Sequence, residues 1–132
     1  MSEEDQTITR ESIDRLLAYL PAFEDPDATF IETWVTQEGT FPYPRYRESV
    51  RAFFELAGLP CWSDYGYNPR RAGELVRDDQ RIAAASLPEV RTMLTYCVRG
   101  ERFADGHWAR MLELGRVQAI LRRLAELRET AS

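Results

Sequence analysis

The side chains best suited to chemistry are concentrated in one segment, residues 96–108, which reads Tyr-Cys-Val-Arg-Gly-Glu-Arg-Phe-Ala-Asp-Gly-His-Trp. The segment holds two arginines, two carboxylates, a phenol and the only histidine of the chain. A guanidinium binds phosphate or carboxylate in a planar fork, and a histidine titrates near neutral pH. Such a segment could therefore hold an anion and move a proton. Its candidate ligand- or partner-binding residues are Tyr96, Arg99, Glu101, Arg102, Asp105, His107 and Trp108.

The four charged side chains among these candidates are expected to form one connected polar site where two helices meet, with Tyr96 and Trp108 as its walls. The glycines at positions 100 and 106 leave the backbone free to fold the charges toward one another. Phe103 should turn inward and anchor the loop. In the structural alternative, the same charges only pair with one another and tie one helix end to the next.

Two catalytic interpretations, a thiol nucleophile and a metal site, fit the sequence less well than structural ones. A Cys–His nucleophile pair would require Cys97 to meet His107, but Cys97 falls on an apolar stripe. The adjacent Asp78 and Asp79 could ligate Mg²⁺ or Mn²⁺ together with other carboxylates, but they fit a helix start better. We therefore expect no metal site and no cofactor, and the sequence leaves open whether the protein is an enzyme.

An aromatic cluster lies in the middle of the chain. Trp62 and Tyr65 are candidate binding residues, with Tyr67 beside them and Phe41 and Tyr43 upstream. Aromatic rings can line a pocket for a flat or cationic ligand. The competing interpretation is that these rings hold an irregular loop on the core.

Length and composition indicate one soluble domain. The chain has 132 residues, 44% of them hydrophobic, which suffices for one core and not for two ordinary domains. No stretch approaches the roughly 20 apolar residues of a membrane-spanning helix. The acidic start of the chain lacks the basic and apolar pattern of a secretory signal. A cytoplasmic location is therefore expected, and two separate cysteines without metal spacing fit reduced thiols.

The charge distribution argues against a nucleic acid as partner. The net charge is −5, and all 17 basic residues are arginine. General nucleic-acid binding depends on a basic surface that displaces counterions. The two halves differ, however, because residues 1–66 are strongly acidic and residues 67–132 are net basic. A local anion site in the second half thus remains compatible with the sequence.

Apolar residues recur at three- and four-residue spacing along most of the chain, which predicts amphipathic helices. Helix-capping residues precede four of these stripes: Thr9, Asp25, Ser86 and Asp105. Glu89 follows Ser86 at the spacing of a capping box. Pro44 is expected to open a helix that Gly58 closes, and residues 61–73 are expected to form an irregular loop packed on the body.

Residues 29–36 allow two interpretations. Phe30 pairs with Trp34, and Ile31 with Val35, at the spacing of a helix, although these residue types also favour strands. Strict alternation is missing, so we predict a helix. The predicted fold class is all-α, a single compact domain of about six to eight helices, several of them short, with no sheet. It should cover residues 9–129 after a flexible acidic N-terminus at residues 1–8.

The run from Leu94 to Phe103, followed by Asp105-Gly106 and the helix after Gly115, resembles an uncharacterised bacterial family known as a domain of unknown function. The regions around Trp62 and Tyr43 are similar to that family as well, so the resemblance covers roughly residues 10–128. The resemblance implies a small bacterial domain with no established activity or catalytic residues.

No complete catalytic constellation is present, so the leading functional prediction is a non-catalytic module. It would bind a protein partner or a small anionic ligand, with a homodimer as one form. The alternative is a small hydrolase or transferase acting on a phosphate-containing substrate through residues 96–107. In that case Arg99 and Arg102 would hold the anion, and Glu101, Asp105 or His107 would transfer protons or bind a metal.

Overall fold

The computed structural model describes residues 7–131. Eight α-helices and one two-stranded sheet occur in that range. The helices are α1 (Arg10–Leu17), α2 (Leu20–Glu24), α3 (Glu48–Ala57), α4 (Pro69–Val76), α5 (Asp79–Ala83), α6 (Leu87–Arg99), α7 (His107–Glu113) and α8 (Arg116–Leu127). The strands are β1 (Ile31–Val35) and β2 (Tyr43–Tyr46), and 3₁₀ turns cover Pro60–Trp62, Gly100–Arg102 and Arg128–Thr130. The predicted helical class and the single compact domain are confirmed.

Helix α8 lies at the centre of the molecule. It packs against α1, α2, α5, α6 and α7, and its apolar stripe is fully buried. The largest buried side chains around it include Trp62, Phe53 and Phe54. Burial of this apolar surface is the main source of stability, because most of these helices are too short to persist alone.

The predicted caps at two helix starts are confirmed. The Thr9 hydroxyl accepts a hydrogen bond from the backbone of Ser12 and begins α1. Ser86 and Glu89 form the predicted capping box of α6, in which each side chain accepts from the other residue's backbone N–H. Gly58 ends α3, as expected. These side chains satisfy backbone groups that a helix end leaves without partners.

The prediction of a helix at residues 29–36 is wrong, and so is the prediction that the fold has no sheet. Ile31–Val35 forms β1, which pairs antiparallel with β2. The strand preference of the branched and aromatic side chains decides the structure of this segment, because a partner strand is available. Gly39, with φ +84°, supplies the left-handed residue in the turn between the strands.

Three related predictions are also wrong. Pro44 lies inside β2, and α3 begins only at Glu48. Asp25 ends α2 and accepts from the backbone of Asp27, so it caps no helix. The irregular segment stops earlier than expected, because α4 begins at Pro69. Of the predicted flexible N-terminus, residues 1–6 lie outside the described residues, and Ile8 is buried.

Candidate functional site

Glu101 turns into the protein and organises the start of α7. Its carboxylate accepts hydrogen bonds from the Tyr46 hydroxyl at 2.7 Å and from the backbone N–H groups of Gly106 and Trp108, each at 2.9 Å. The predicted cap Asp105 is exposed, and the N-cap position is Gly106 in a left-handed conformation. The Asp105 prediction is therefore wrong, because Glu101 already supplies the carboxylate that α7 needs.

His107 fits against the backbone of Gly100. A Cβ added to Gly100 would lie 2.2 Å from the His107 Nε2, so any larger residue there would displace the ring or the turn. The ring also meets Tyr96 edge-on, at 5.2 Å between centroids. Burial lowers the pKa of His107, and the nearby Glu101 carboxylate opposes that effect. Among the described residues no group bonds to the buried Nε2. The ring is thus held by packing against Gly100 and Tyr96.

Arg99 and Arg102 line a cleft that neither Glu101 nor His107 lines. The Arg99 guanidinium lies over the rings of Tyr65 and Tyr67, 5.5 and 5.3 Å from their centroids. Together with Arg102 it lines a cleft of about 160 Å³ beside the end of α3. We call this the anion cleft. It is lined by Ala57, Gly58, Ser63, Tyr65, Thr95, Val98, Arg99 and Arg102.

The anion cleft continues into a second concavity of about 330 Å³, which shares Ser63 and Tyr65 with it. Thr92 and Arg91, from the preceding turns of α6, line this extension. The Arg91 guanidinium donates to the Cys61 carbonyl at 2.9 Å. One face of α6 therefore carries hydroxyl and guanidinium groups along a continuous depression.

Asp105 and His107 line another depression, on the side of the hairpin. It lies between β1 and α7, and we call it the β1–α7 groove. The Trp34 ring reaches across to Gly106, since a Cβ on that glycine would lie 3.4 Å from the indole. The groove consists of two neighbouring concavities. No residue that lines either of them also lines the anion cleft.

The single connected site predicted for Arg99, Glu101, Arg102 and Asp105 is therefore wrong. Within residues 7–131 none of these four side chains forms an ion pair with another of the four. Phe103, expected to anchor the loop, is 81% exposed. The 3₁₀ turn at Gly100–Arg102 continues α6 and fixes the side chains on separate faces, where a flexible loop would have let them meet.

The remaining candidates are divided between core and surface. Trp62 is buried in the core. Trp108 is half-buried, stacks on Phe54 at 4.6 Å and donates its indole N–H to the Val98 carbonyl. Tyr65 is exposed in the anion cleft. Of the predicted aromatic pocket, only this tyrosine and Tyr67 face the cleft cation.

Metal and thiol chemistry find no support in the described part of the chain. Residues 7–131 contain no group of three or more potential metal ligands. Cys97 is fully buried, and burial raises the pKa of its thiol to about 12, so it is not a nucleophile at neutral pH. Asp78 caps α5, as its alternative interpretation suggested.

Several residues of the site were missed by the sequence analysis. They are Ser63, Thr95 and Arg91, which line the cleft or its extension. Asn68-Pro69 could have revealed α4, since an asparagine cap followed by proline at the first helical position is a typical helix start. That start fixes Tyr67 immediately before the helix, where its ring meets Arg99.

Comparison with known proteins identifies the class of protein and no activity. DUF6508, a family of unknown function, matches residues 8–130, and the chain belongs to this family. No curated protein and no solved structure matches the chain. Among the described residues, none of the helices has the length and apolar character needed to cross a membrane.

Proposed function

We propose that the protein is a non-catalytic module that binds a small anionic ligand in the anion cleft. One observation carries this proposal: Arg99 and Arg102 line one cleft, and no carboxylate of the described residues pairs with either of them. Most other arginines of the second half that could bind an anion are already paired, for example Arg116 with Asp79. Two unpaired guanidiniums in one concavity form a favourable anion site.

The tyrosines support the proposal because they hold Arg99 in place before a ligand arrives. Its guanidinium lies over both rings, and no hydrogen bond to a ring uses its N–H groups, which can donate to a ligand. A cation fixed in advance loses less conformational entropy on binding. The Ser63 hydroxyl, which donates to the Leu59 carbonyl at 3.0 Å, has lone pairs left for a protonated ligand oxygen.

The alternative, a hydrolase or transferase acting on a phosphate-containing substrate, has less support. Its proton-transfer candidates do not line the anion cleft: Glu101 is occupied by three donors, and Asp105 and His107 line the β1–α7 groove. No carboxylate of the described residues lines the anion cleft itself, and Asp64, which lines its extension, accepts a hydrogen bond from the Thr92 hydroxyl, so the arrangement favours binding over turnover. As part of the proposal, the two free cysteines support a reducing compartment such as the cytoplasm.

Binding of inorganic pyrophosphate, measured by calorimetry at low salt, tests the proposal. The wild-type protein should bind, and Arg102→Gln and Arg99→Gln should each weaken binding by at least about tenfold. Arg110→Gln is the matched control, because Arg110 is also exposed and unpaired but lies in the β1–α7 groove. Equal losses in all three variants would show unspecific charge attraction and contradict the proposal.

Release of phosphate from pyrophosphate or from a nucleoside triphosphate separates the two functions. Binding without release supports the module. Release that disappears in Arg102→Gln and persists in Arg110→Gln would establish the enzyme instead. Failure to bind pyrophosphate, nucleoside monophosphates and sugar phosphates alike would overturn the anion cleft as a ligand site.

A further inference from the structure

The β1–α7 groove runs along the free edge of β1. One part of it, about 390 Å³ in volume, is lined by every residue from 28 to 34 and by Glu113. Neighbouring side chains of a strand point to opposite faces of the sheet, so a depression over one face would be lined by alternate residues only. Of these lining residues, the four from Ile31 to Trp34 are consecutive in β1, and a depression lined by consecutive residues of a strand lies beside the backbone itself. The free edge of β1 is therefore open to a partner.

A second part of the groove, about 480 Å³, continues the first along α7. The two parts share Ile31, Trp34 and Glu113. Trp34, 48% exposed, lies at the junction and presents an indole ring to whatever occupies the groove. Seven residues of helix span about 10 Å, so α7 flanks roughly three residues of an extended strand.

The two edges of the hairpin differ in their ability to pair with a further strand. β2 contains Pro44 and follows Pro42, and a proline has no backbone N–H to donate. β1 contains no proline, and in the sheet it pairs with β2 alone. Natural proteins protect exposed edges with prolines, charges or bulges. β1 has a register shift between Ile31 and Thr33, with Glu32 between them, but it keeps its backbone N–H groups, so its edge beside the groove can receive a strand.

The charge of the groove defines the chemistry of its occupant. Glu32, Asp105 and Glu113 line it, against one cation, Arg110. In the part of the chain that the structure describes, none of these four side chains has an ion-pair partner. The groove is therefore net negative, and it attracts a positively charged segment and repels an acidic one.

We propose that the β1–α7 groove binds an extended segment of a partner protein that carries lysine or arginine. The segment adds to β1 as a third strand and places its cationic side chains near Glu113 and Asp105. Backbone hydrogen bonds provide affinity, and the carboxylates and the Trp34 ring select basic residues. This interaction surface is independent of the anion cleft, because the two share no residue.

The probe is a synthetic peptide of alternating valine and lysine, with a valine–glutamate peptide as its charge control. Binding is followed by tryptophan fluorescence, and Trp34→Phe assigns the signal, since Trp62 is buried and Trp108 is half-buried. The lysine peptide should bind and the glutamate peptide should not. Glu113→Gln should weaken binding by at least about tenfold, and Glu55→Gln, an exposed glutamate on α3, should leave it unchanged.

Backbone pairing is tested with two forms of the lysine peptide, N-methylated at alternate residues on one edge or on the other. At least one form should lose binding, because one edge of the added strand donates to β1. Full binding by both forms would reduce the interaction to charge attraction and overturn the proposal. A protein that dimerises through Trp34 and ignores the peptide would assign the edge to a second copy and would also overturn it. Arg102→Gln should not affect peptide binding, so the failure of one proposal is distinguishable from that of the other.

Discussion

The anion cleft and the β1–α7 groove both take residues from the stretch of chain that joins α6 to α7, yet the unpaired side chains that line them give net charges of opposite sign. The cleft presents Arg99 and Arg102, and the groove presents Asp105 together with Glu113. Their separation follows from the 3₁₀ turn that extends α6. Residues three apart in such a turn lie on one face, so the two arginines stay together and Glu101 between them points elsewhere.

Glu101 and His107 are the interior elements of this arrangement. The carboxylate joins β2 to the start of α7, and the ring fills the space over Gly100. Neither faces the anion cleft. A cluster of charges in sequence has thus become two surfaces divided by buried polar groups, and changes to those groups should disturb both surfaces at once.

The largest effect is expected from Gly100→Ala. The added Cβ would lie 2.2 Å from the His107 Nε2, so the ring or the turn must move. We expect a loss of about 3 kcal/mol in the free energy of unfolding. Chemical denaturation measures it. In a His107→Ala background the same change should cost much less, and an equal cost in both backgrounds would locate the strain elsewhere.

A smaller loss is expected from Glu101→Gln. The amide keeps one accepting oxygen and turns its NH₂ toward donors that the carboxylate now binds, so about 2 kcal/mol of unfolding free energy should be lost. Tyr46→Phe, which removes one of the three donors, should cost about 1 kcal/mol. A Tyr46→Phe variant less stable than Glu101→Gln would contradict the central position given to the carboxylate.

His107 should make the stability of this region depend on pH. Burial lowers its folded pKa below the ordinary value of 6.5, so the unfolded chain takes up the proton first as the pH falls. Stability is fully present above 6.5 and is lost as the pH falls from there toward the folded pKa. Arg110 reinforces this shift, and Glu101 and the Tyr96 carbonyl oppose it. Thermal melts between about pH 7.5 and pH 5 should show a steeper loss in the wild type than in His107→Gln. Parallel curves would mean that the ring is no more buried than in the unfolded chain.

The sequence predicted some features that depend on local chemistry, although Asp25 and Asp105 carry the same local signal and cap no helix. Thr9 and Ser86 cap their helices because the groups they satisfy lie within three residues. The hairpin could not be found in the same way, since Trp34 and its neighbours become a strand only when β2 lies beside them. Likewise, nothing in the spacing of Glu101 reveals Tyr46, which lies 55 residues earlier in the chain and supplies its shortest hydrogen bond.

The smallest effect is expected from Arg102→Ala, and it distinguishes a ligand site from a structural charge cluster. Arg102 is exposed and has no ion-pair partner among the described residues, so its loss should change the unfolding free energy by no more than about 0.5 kcal/mol. Arg99→Ala should cost somewhat more, about 1 kcal/mol, because it removes the contacts with Tyr65 and Tyr67. Both values come from denaturation in the absence of added anion. A loss well above 1 kcal/mol for Arg102→Ala would mean that a carboxylate depends on this arginine for its partner. The cleft would then be a structural junction, and its contrast with the groove would disappear.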